Sequence, residues 1–212
     1  MQNDLYAAAK ARMEAPDDAS FLIRDGEGCV MFSAPHCVKQ WREGREKFAE
    51  PETGVLAEML HLKLCCPIIR KQTFCHDDAN WDAECGYKDA LAAYAAAHGI
   101  LCLVDLHQMA AERPEMICIG TDEGRNVEHP LMAEKILSVF QEKGISSVHV
   151  DHPFKASCPH TVSAAIHRRL GIPCIQLEIN SRLLRRDFDE YALDTVFDCL
   201  CAVREQITEM VK

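Results

Sequence analysis

Two histidines and a glutamate stand just past apolar runs of the kind that form strands. CVMFSAPH ends at His36, ILCLVDLH at His107 and IPCIQLE at Glu178. In open α/β sheets the carboxyl ends of the strands lie together, and ligands bind in the crevice there. Imidazole nitrogens and a carboxylate delivered to one such edge are the donors of a catalytic zinc site, which takes three protein ligands and keeps one position for water. A buried, unpaired carboxylate costs several kcal/mol, so Glu178, inside CIQLEIN, needs a partner or a task. The stretch EPETG at 50–54 offers a further carboxylate near His36, either Glu50 or Glu52. Glu52, on the first turn of the helix that follows, would project back toward the strand ends. The alternative for both is compensation of a helix N-terminus. Asp105 precedes His107 by two residues, so on a strand both face the same way. It is placed either to accept an imidazole N–H or to bond the backbone at the strand end.

The elements that must position these residues alternate along the chain. Strand-like runs occupy 21–24, 29–33, 67–70, 100–107, 116–120, 146–151 and 172–179. Helical spacing marks 3–14, 54–66, 87–99, 131–144, 161–171 and 188–211, with Gly99 and Gly144 closing two of them and Thr161 as an N-cap. DGEG between the first two strands reads as a hairpin turn, and 72–86 as a long polar loop. This alternation predicts an α/β fold: one domain over 1–212, with a mostly parallel, mixed β-sheet flanked by helices on both faces.

Composition narrows the partners. The chain has 212 residues and a net charge of −10, which repels phosphate backbones and anionic membrane surfaces, so no nucleic acid and no membrane is expected as a partner. No apolar run reaches the roughly 20 residues that span a bilayer, and the N-terminal residues lack the pattern of a signal peptide. The twelve cysteines include no CxxC pair. With a cytoplasmic location expected, they read as reduced, mostly buried small hydrophobes.

SAPHC, EPETG, DDANWD, DLHQ, HPFKAS and QLEIN occur here in the order found in the N-formylglutamate amidohydrolase family, which this chain resembles over roughly residues 30–186. That family is similar in fold and metal site to the zinc carboxypeptidases and the aspartoacylase-type deacylases, a phosphorylase/hydrolase-like architecture. The resemblance implies His36, Glu52 and His107 as zinc ligands and Glu178 as general base. It also implies that Asn80, in DDANWD, contacts substrate, with Trp81 where the carboxypeptidases carry an arginine. In HPFKAS, Ala156 and Ser157 replace two glycines of the family segment, and an arginine expected soon after is missing. The cation for a substrate carboxylate must then come from Arg182, from Lys155, or from Arg70, Arg185 or Arg186, with Arg182 the first choice because it follows Glu178 by four.

The activity implied is zinc-dependent hydrolysis of the amide bond of a small N-acyl or N-formyl amino acid, by water activated at Zn²⁺. Two other readings stand beside it: a carboxypeptidase-like metallopeptidase acting on short or cell-wall peptides, and a non-catalytic binding protein on the same fold. Elsewhere, His76 beside Asp77 and Asp78 could form a second metal cluster, and His149 or His152 could reach the crevice. Cys37 follows His36 directly, but neighbours on an extended chain point apart, which argues against a Cys–His nucleophile pair.

Overall fold

The computed structural model describes residues 2–189 and 191–212. In chain order its strands are β1 (Phe21–Arg24), β2 (Val30–Ala34), β3 (Gln40–Arg42), β4 (Arg45–Lys47), β5 (Ile68–Lys71), β6 (Cys102–Met109), β7 (Ile117–Gly120), β8 (Val148–Val150) and β9 (Cys174–Asn180). Its helices are α1 (Gln2–Glu14), α2 (Pro51–Leu64), α3 (Gly86–Ala97), α4 (Met132–Glu142), α5 (Val162–Leu170), α6 (Ser181–Leu184) and α7 (Ala192–Val211). Seven strands form one sheet in the order β1-β5-β2-β6-β9-β7-β8. The central strands β5, β2, β6 and β9 run parallel. β1 is antiparallel to β5, and β7 is antiparallel to β9. This is the mostly parallel, mixed α/β sheet with helices on both faces that the sequence predicts. Among the described residues, no helix is long and apolar enough to cross a membrane.

Alternation along the strands divides the sheet into two faces. Phe32, Ile68, Val104, Leu106, Ile175, Leu177 and Ile179 point to one, where they pack with α1, α2, α4 and α7 in the larger core. Met31, Ile69, Leu103 and Cys174 point to the other and pack under α3 and α5 with Tyr87, Leu91 and Ile166. Farther along, this second face turns polar: Leu103 is followed by Asp105 and His107, and Cys174 by Gln176 and Glu178. In register, Asp105 lies opposite Gln176 and His107 opposite Glu178. The site therefore sits on a sheet face that α3 and α5 leave uncovered. β6 and β9 run on two residues past His107 and Glu178, so both side chains stand on paired strands and not just beyond strand ends.

The hairpin expected between 21–24 and 29–33 does not form, because β5 lies between β1 and β2. The DGEG segment instead wraps the turn between α2 and β5. Glu27 N donates to Cys65 O at 2.6 Å, and a Cβ on Gly26 would collide with that same oxygen. The hairpin that does form is β3–β4. Its two-residue turn, Glu43-Gly44, has positive φ at both positions, the type I′ geometry that matches strand twist.

Opposite the site, Arg70 is fully buried and donates to Glu58 Oε1 at 2.7 Å. Arg12 and Arg24 also reach Glu58, at 3.4 and 3.3 Å. This cluster ties α1 and β1 to α2 and β5, and it removes Arg70 from the candidates for a substrate cation.

Candidate metal and active site

β2 runs out into a short turn that carries His36, and the chain then makes an excursion over 37–49 before returning at Glu50. Glu50 N donates to His36 O at 2.8 Å, so the two residues stay side by side across the gap. Glu50 is the N-cap of α2, with Pro51 as the first helical residue, a position where the missing N–H costs nothing. The Glu50 side chain does not cap the helix. It reaches His36 Nδ1 at 3.2 Å and His107 Nδ1 at 3.5 Å, and its second oxygen accepts from Gln108 N at 2.9 Å.

Glu52, expected as the carboxylate donor, is not part of this cluster. Two residues along the first turn it faces α1, where Tyr6 Oη donates to both its oxygens at 3.2 and 3.3 Å. The backbone bond from Glu50 N to His36 O keeps Glu50 at His36, whereas the helical twist carries Glu52 round to the other side.

The donor atoms of His36, Glu50 and His107 lie within 4.8 Å of one another. Each imidazole is fixed from behind. His36 Nε2 donates to Asp78 Oδ1 at 2.9 Å, and His107 Nε2 to Asp105 Oδ2 at 3.0 Å. An ionised carboxylate only accepts, so each Nε2 keeps a proton, and it is Nδ1, facing Glu50, that would give up its proton to take a metal. Two imidazoles, one carboxylate and a carboxylate behind each ring form a donor set that suits a divalent metal such as zinc. Asp105 thus takes the first of its two expected roles. Asp78 lies in the 72–86 loop, and no spacing rule connects it to His36.

Charge in this cluster is finely balanced. Burial lowers the pKa of His36, but Glu50 and Asp78 outweigh it and bring it up to about 8. Burial raises that of Glu50, yet the two histidines hold it at about 2. Glu178 behaves in the opposite way. Burial pushes its carboxyl up to about 7; His107 opposes the rise and Glu50 adds to it. Its Oε1 accepts from Gln176 Nε2 at 2.9 Å.

These groups open into a cavity of about 680 Å³. His36, Glu50, His107, Gln176 and Glu178 form part of its wall. The segment 153–158 crosses the sheet beside them. It lies so close that a Cβ on Gly120 would be 3.1 Å from Phe154 O and 3.2 Å from Ala156 Cβ. Asn80 also lines the cavity, but its Oδ1 accepts from Val162 N at 2.7 Å and its Nδ2 lies 3.0 Å from His107 Nε2. Lys155 is on the wall and is paired with Glu123 at 2.6 Å. Arg182 is exposed on α6 and does not line the cavity. Arg185 and Arg186 pair with Asp187 and Asp194.

The cations that sequence reasoning missed on this wall are Arg42, Lys47 and Arg113. All three sit in polar stretches that look like solvated surface. His76 lies edge-on to Trp41 and tilted against Phe74, and His149 lies near His152. Neither joins a metal-binding group among the described residues. The Cys37 thiol donates to Lys71 O at 3.0 Å and is pushed up to about 12 by burial, which rules it out as a nucleophile at neutral pH.

Comparison with known proteins bears on the fold and the enzyme class. The family model for N-formylglutamate amidohydrolase matches residues 87–185, just under half of the chain. The resemblance to the N-formylglutamate amidohydrolase family holds. The match takes in His107 and Glu178, while His36 and Glu50 precede it. No curated protein matches the chain in sequence. Among solved structures, an N-formylglutamate amidohydrolase from Ralstonia eutropha superposes with a TM-score of 0.59 at 16% identity, over 91% of this chain and 98% of that one. A gene product of Agrobacterium tumefaciens gives 0.64 at 12% identity, over 96% and 100%. A metallo-carboxypeptidase from Burkholderia cenocepacia gives 0.52 at 10% identity, over 95% and 69%. At these identities the superpositions establish the shared fold, one that amidohydrolases and zinc carboxypeptidase-like proteins have in common. The family model adds the enzyme class, an amidohydrolase.

Proposed function

We propose that this chain is a zinc-dependent amidohydrolase that cleaves the amide bond of a small N-acyl or N-formyl amino acid. One observation carries the reading: the His36, Glu50 and His107 donors share a cavity with Glu178, a buried carboxyl pushed up to about 7. His36 Nδ1, His107 Nδ1 and a Glu50 oxygen would hold the ion. Zinc in such a site supplies Lewis acidity and brings the pKa of water down to about 7.

The remaining work falls to the chain. Asp78 and Asp105 keep each imidazole in the tautomer that presents Nδ1. Gln176 holds Glu178 through Oε1, which leaves Oε2 to exchange a proton. A group with a pKa near the working pH is suited both to accept a proton from attacking water and to return it to the leaving nitrogen. The segment 153–158, packed on Gly120, narrows the space beside Glu178 and limits the size of the substrate.

The test is metal analysis joined to a hydrolysis screen of N-formyl and N-acetyl amino acids and short peptides. The expected result is about one zinc per chain, with release of free amino acid that stops on chelation and returns with zinc. Peptides as the only substrates would favour the metallopeptidase. A zinc-loaded protein that hydrolyses nothing in the panel would favour the binding protein.

A further inference from the structure

Four cationic side chains other than histidine line the cavity, and they are not equivalent. Arg42 is committed to Asp78, with Nε and a terminal nitrogen at 2.7 and 2.6 Å from Oδ2. Lys155 is committed to Glu123. Among the described residues, Arg113 and Lys47 make no ion pair. A cation on a cavity wall with no carboxylate of its own is a place for one brought by a ligand.

Arg113 is the better prepared of the two. Its main chain is anchored at both polar atoms: the N–H donates to Ala110 O at 3.3 Å, and the carbonyl accepts from Asn180 Nδ2 at the end of β9 at 3.2 Å. Its guanidinium lies over the Phe154 ring, 4.6 Å from the centroid. Phe154 is fixed in turn, because its carbonyl accepts from Cys118 Sγ at 3.1 Å and Gly120 lets the segment lie against the sheet. A planar guanidinium held on an aromatic face keeps its donor edge free for bidentate contact with a carboxylate. Lys47 ends the β3–β4 hairpin beside Phe48, which is 94% exposed. It offers a mobile, strongly hydrated ammonium instead.

We infer that Arg113, stacked on Phe154, is the specificity-determining residue that binds the free carboxylate of the substrate, so that the enzyme selects N-acyl amino acids over their uncharged carboxamides. The inference rests on the amidohydrolase reading for the substrate class. It places the substrate cation in the loop between β6 and β7, on the cavity wall.

The test compares N-formyl-leucine with N-formyl-leucinamide, and N-acetylglutamate with its diamide, in the parent, Arg113→Ala, Arg113→Lys and Lys47→Ala. Both kcat/KM and calorimetric binding are measured on zinc-loaded protein. A charge-assisted pair predicts a preference of about 10–100-fold for the carboxylate in the parent. Arg113→Ala abolishes that preference, Arg113→Lys restores part of it, and Lys47→Ala leaves it in place. The inference is overturned if the parent shows no carboxylate preference, if Arg113→Ala retains it, or if Lys47→Ala is the variant that loses it. Binding that depends on Arg113 without any hydrolysis would uphold the carboxylate site while refuting the hydrolase. Hydrolysis indifferent to Arg113 would do the reverse.

Discussion

Replacing Glu178 by Gln tests the chemistry and the electrostatics of the site together. The amide is close to isosteric, and its oxygen can still accept from Gln176, which lies 2.9 Å from the carboxylate oxygen. What disappears is a proton acceptor and a buried charge. As general base, Glu178 predicts a fall in turnover of about 10²–10⁴-fold, equivalent to about 2.7–5.5 kcal/mol of barrier. The charge predicts an opposite effect on stability. The carboxyl is raised from 4.5 to about 7 in the fold. The unfolded chain therefore ionises first, and the folded state is penalised progressively as pH rises from about 4.5 to 7. Above pH 7 the penalty is complete, at about 3 kcal/mol.

Glu178→Gln removes that penalty. At pH 8, with a chelator present so that no cation offsets the charge, its melting temperature should exceed the parent's by roughly 6–12 °C for a chain of this size. The gain should shrink as the pH is lowered toward 4.5. Calorimetry across pH and turnover on zinc-loaded samples of the same preparations provide both numbers. A variant that melts below the parent at pH 8, or that turns over at the parent's rate, refutes the reasoning.

Glu50→Gln should lose most bound zinc, whereas Glu52→Gln, which only disturbs the contact with Tyr6, should keep it; metal analysis after dialysis distinguishes them. Asp105→Asn and Asp78→Asn should each weaken zinc affinity by about 10–100-fold, read by competition with a chromogenic chelator, because each loosens one imidazole. Glu58→Ala should cost about 3–5 kcal/mol in denaturant unfolding, since it leaves Arg70 buried without its carboxylate. Burial raises the Glu58 carboxyl, but Arg70 and its neighbours hold it below the ordinary range. Its contribution is therefore present above the unfolded pKa and is lost as pH falls through the folded one, so the parent should lose this stability in acid and Glu58→Gln should not.

The layered α/β architecture was legible because it is written in hydrophobic periodicity: all seven strands of the sheet and six of the seven helices fall on the expected runs, with ends displaced by no more than four residues. Strand order was not, because nothing in DGEG reveals that β5 will insert between β1 and β2. His36, His107 and Glu178 could be found because each follows an apolar run, and Asp105 because strand period fixes its side. Glu50 could not be separated from Glu52 by spacing, since the choice depends on where α2 begins and on a single backbone bond to His36. Asp78 and Arg113 come from polar loops, where sequence carries no period. Only tertiary placement distinguishes them from solvated surface, and the same absence of signal made exposed Arg182 look as suitable as any other arginine.

The neck between His36 and Glu50 has a consequence for evolvability. Glu50 N and Gln40 Nε2 both bond to His36 O, at 2.8 and 2.9 Å, so the excursion over 37–49 is sealed at its base. The hairpin it carries brings Arg42, Lys47 and Phe48 to the cavity. Lengthening such a closed loop costs only about 0.6 kcal/mol for each doubling. The segment 43–48 can therefore be exchanged as a cassette while Gln40 and Arg42, which bond His36 O and Asp78, stay with the two proposed metal donors. Selection can diversify what enters the mouth without rebuilding the chemistry, and grafting at residues 43 and 48 is the natural route to altered substrate choice by design.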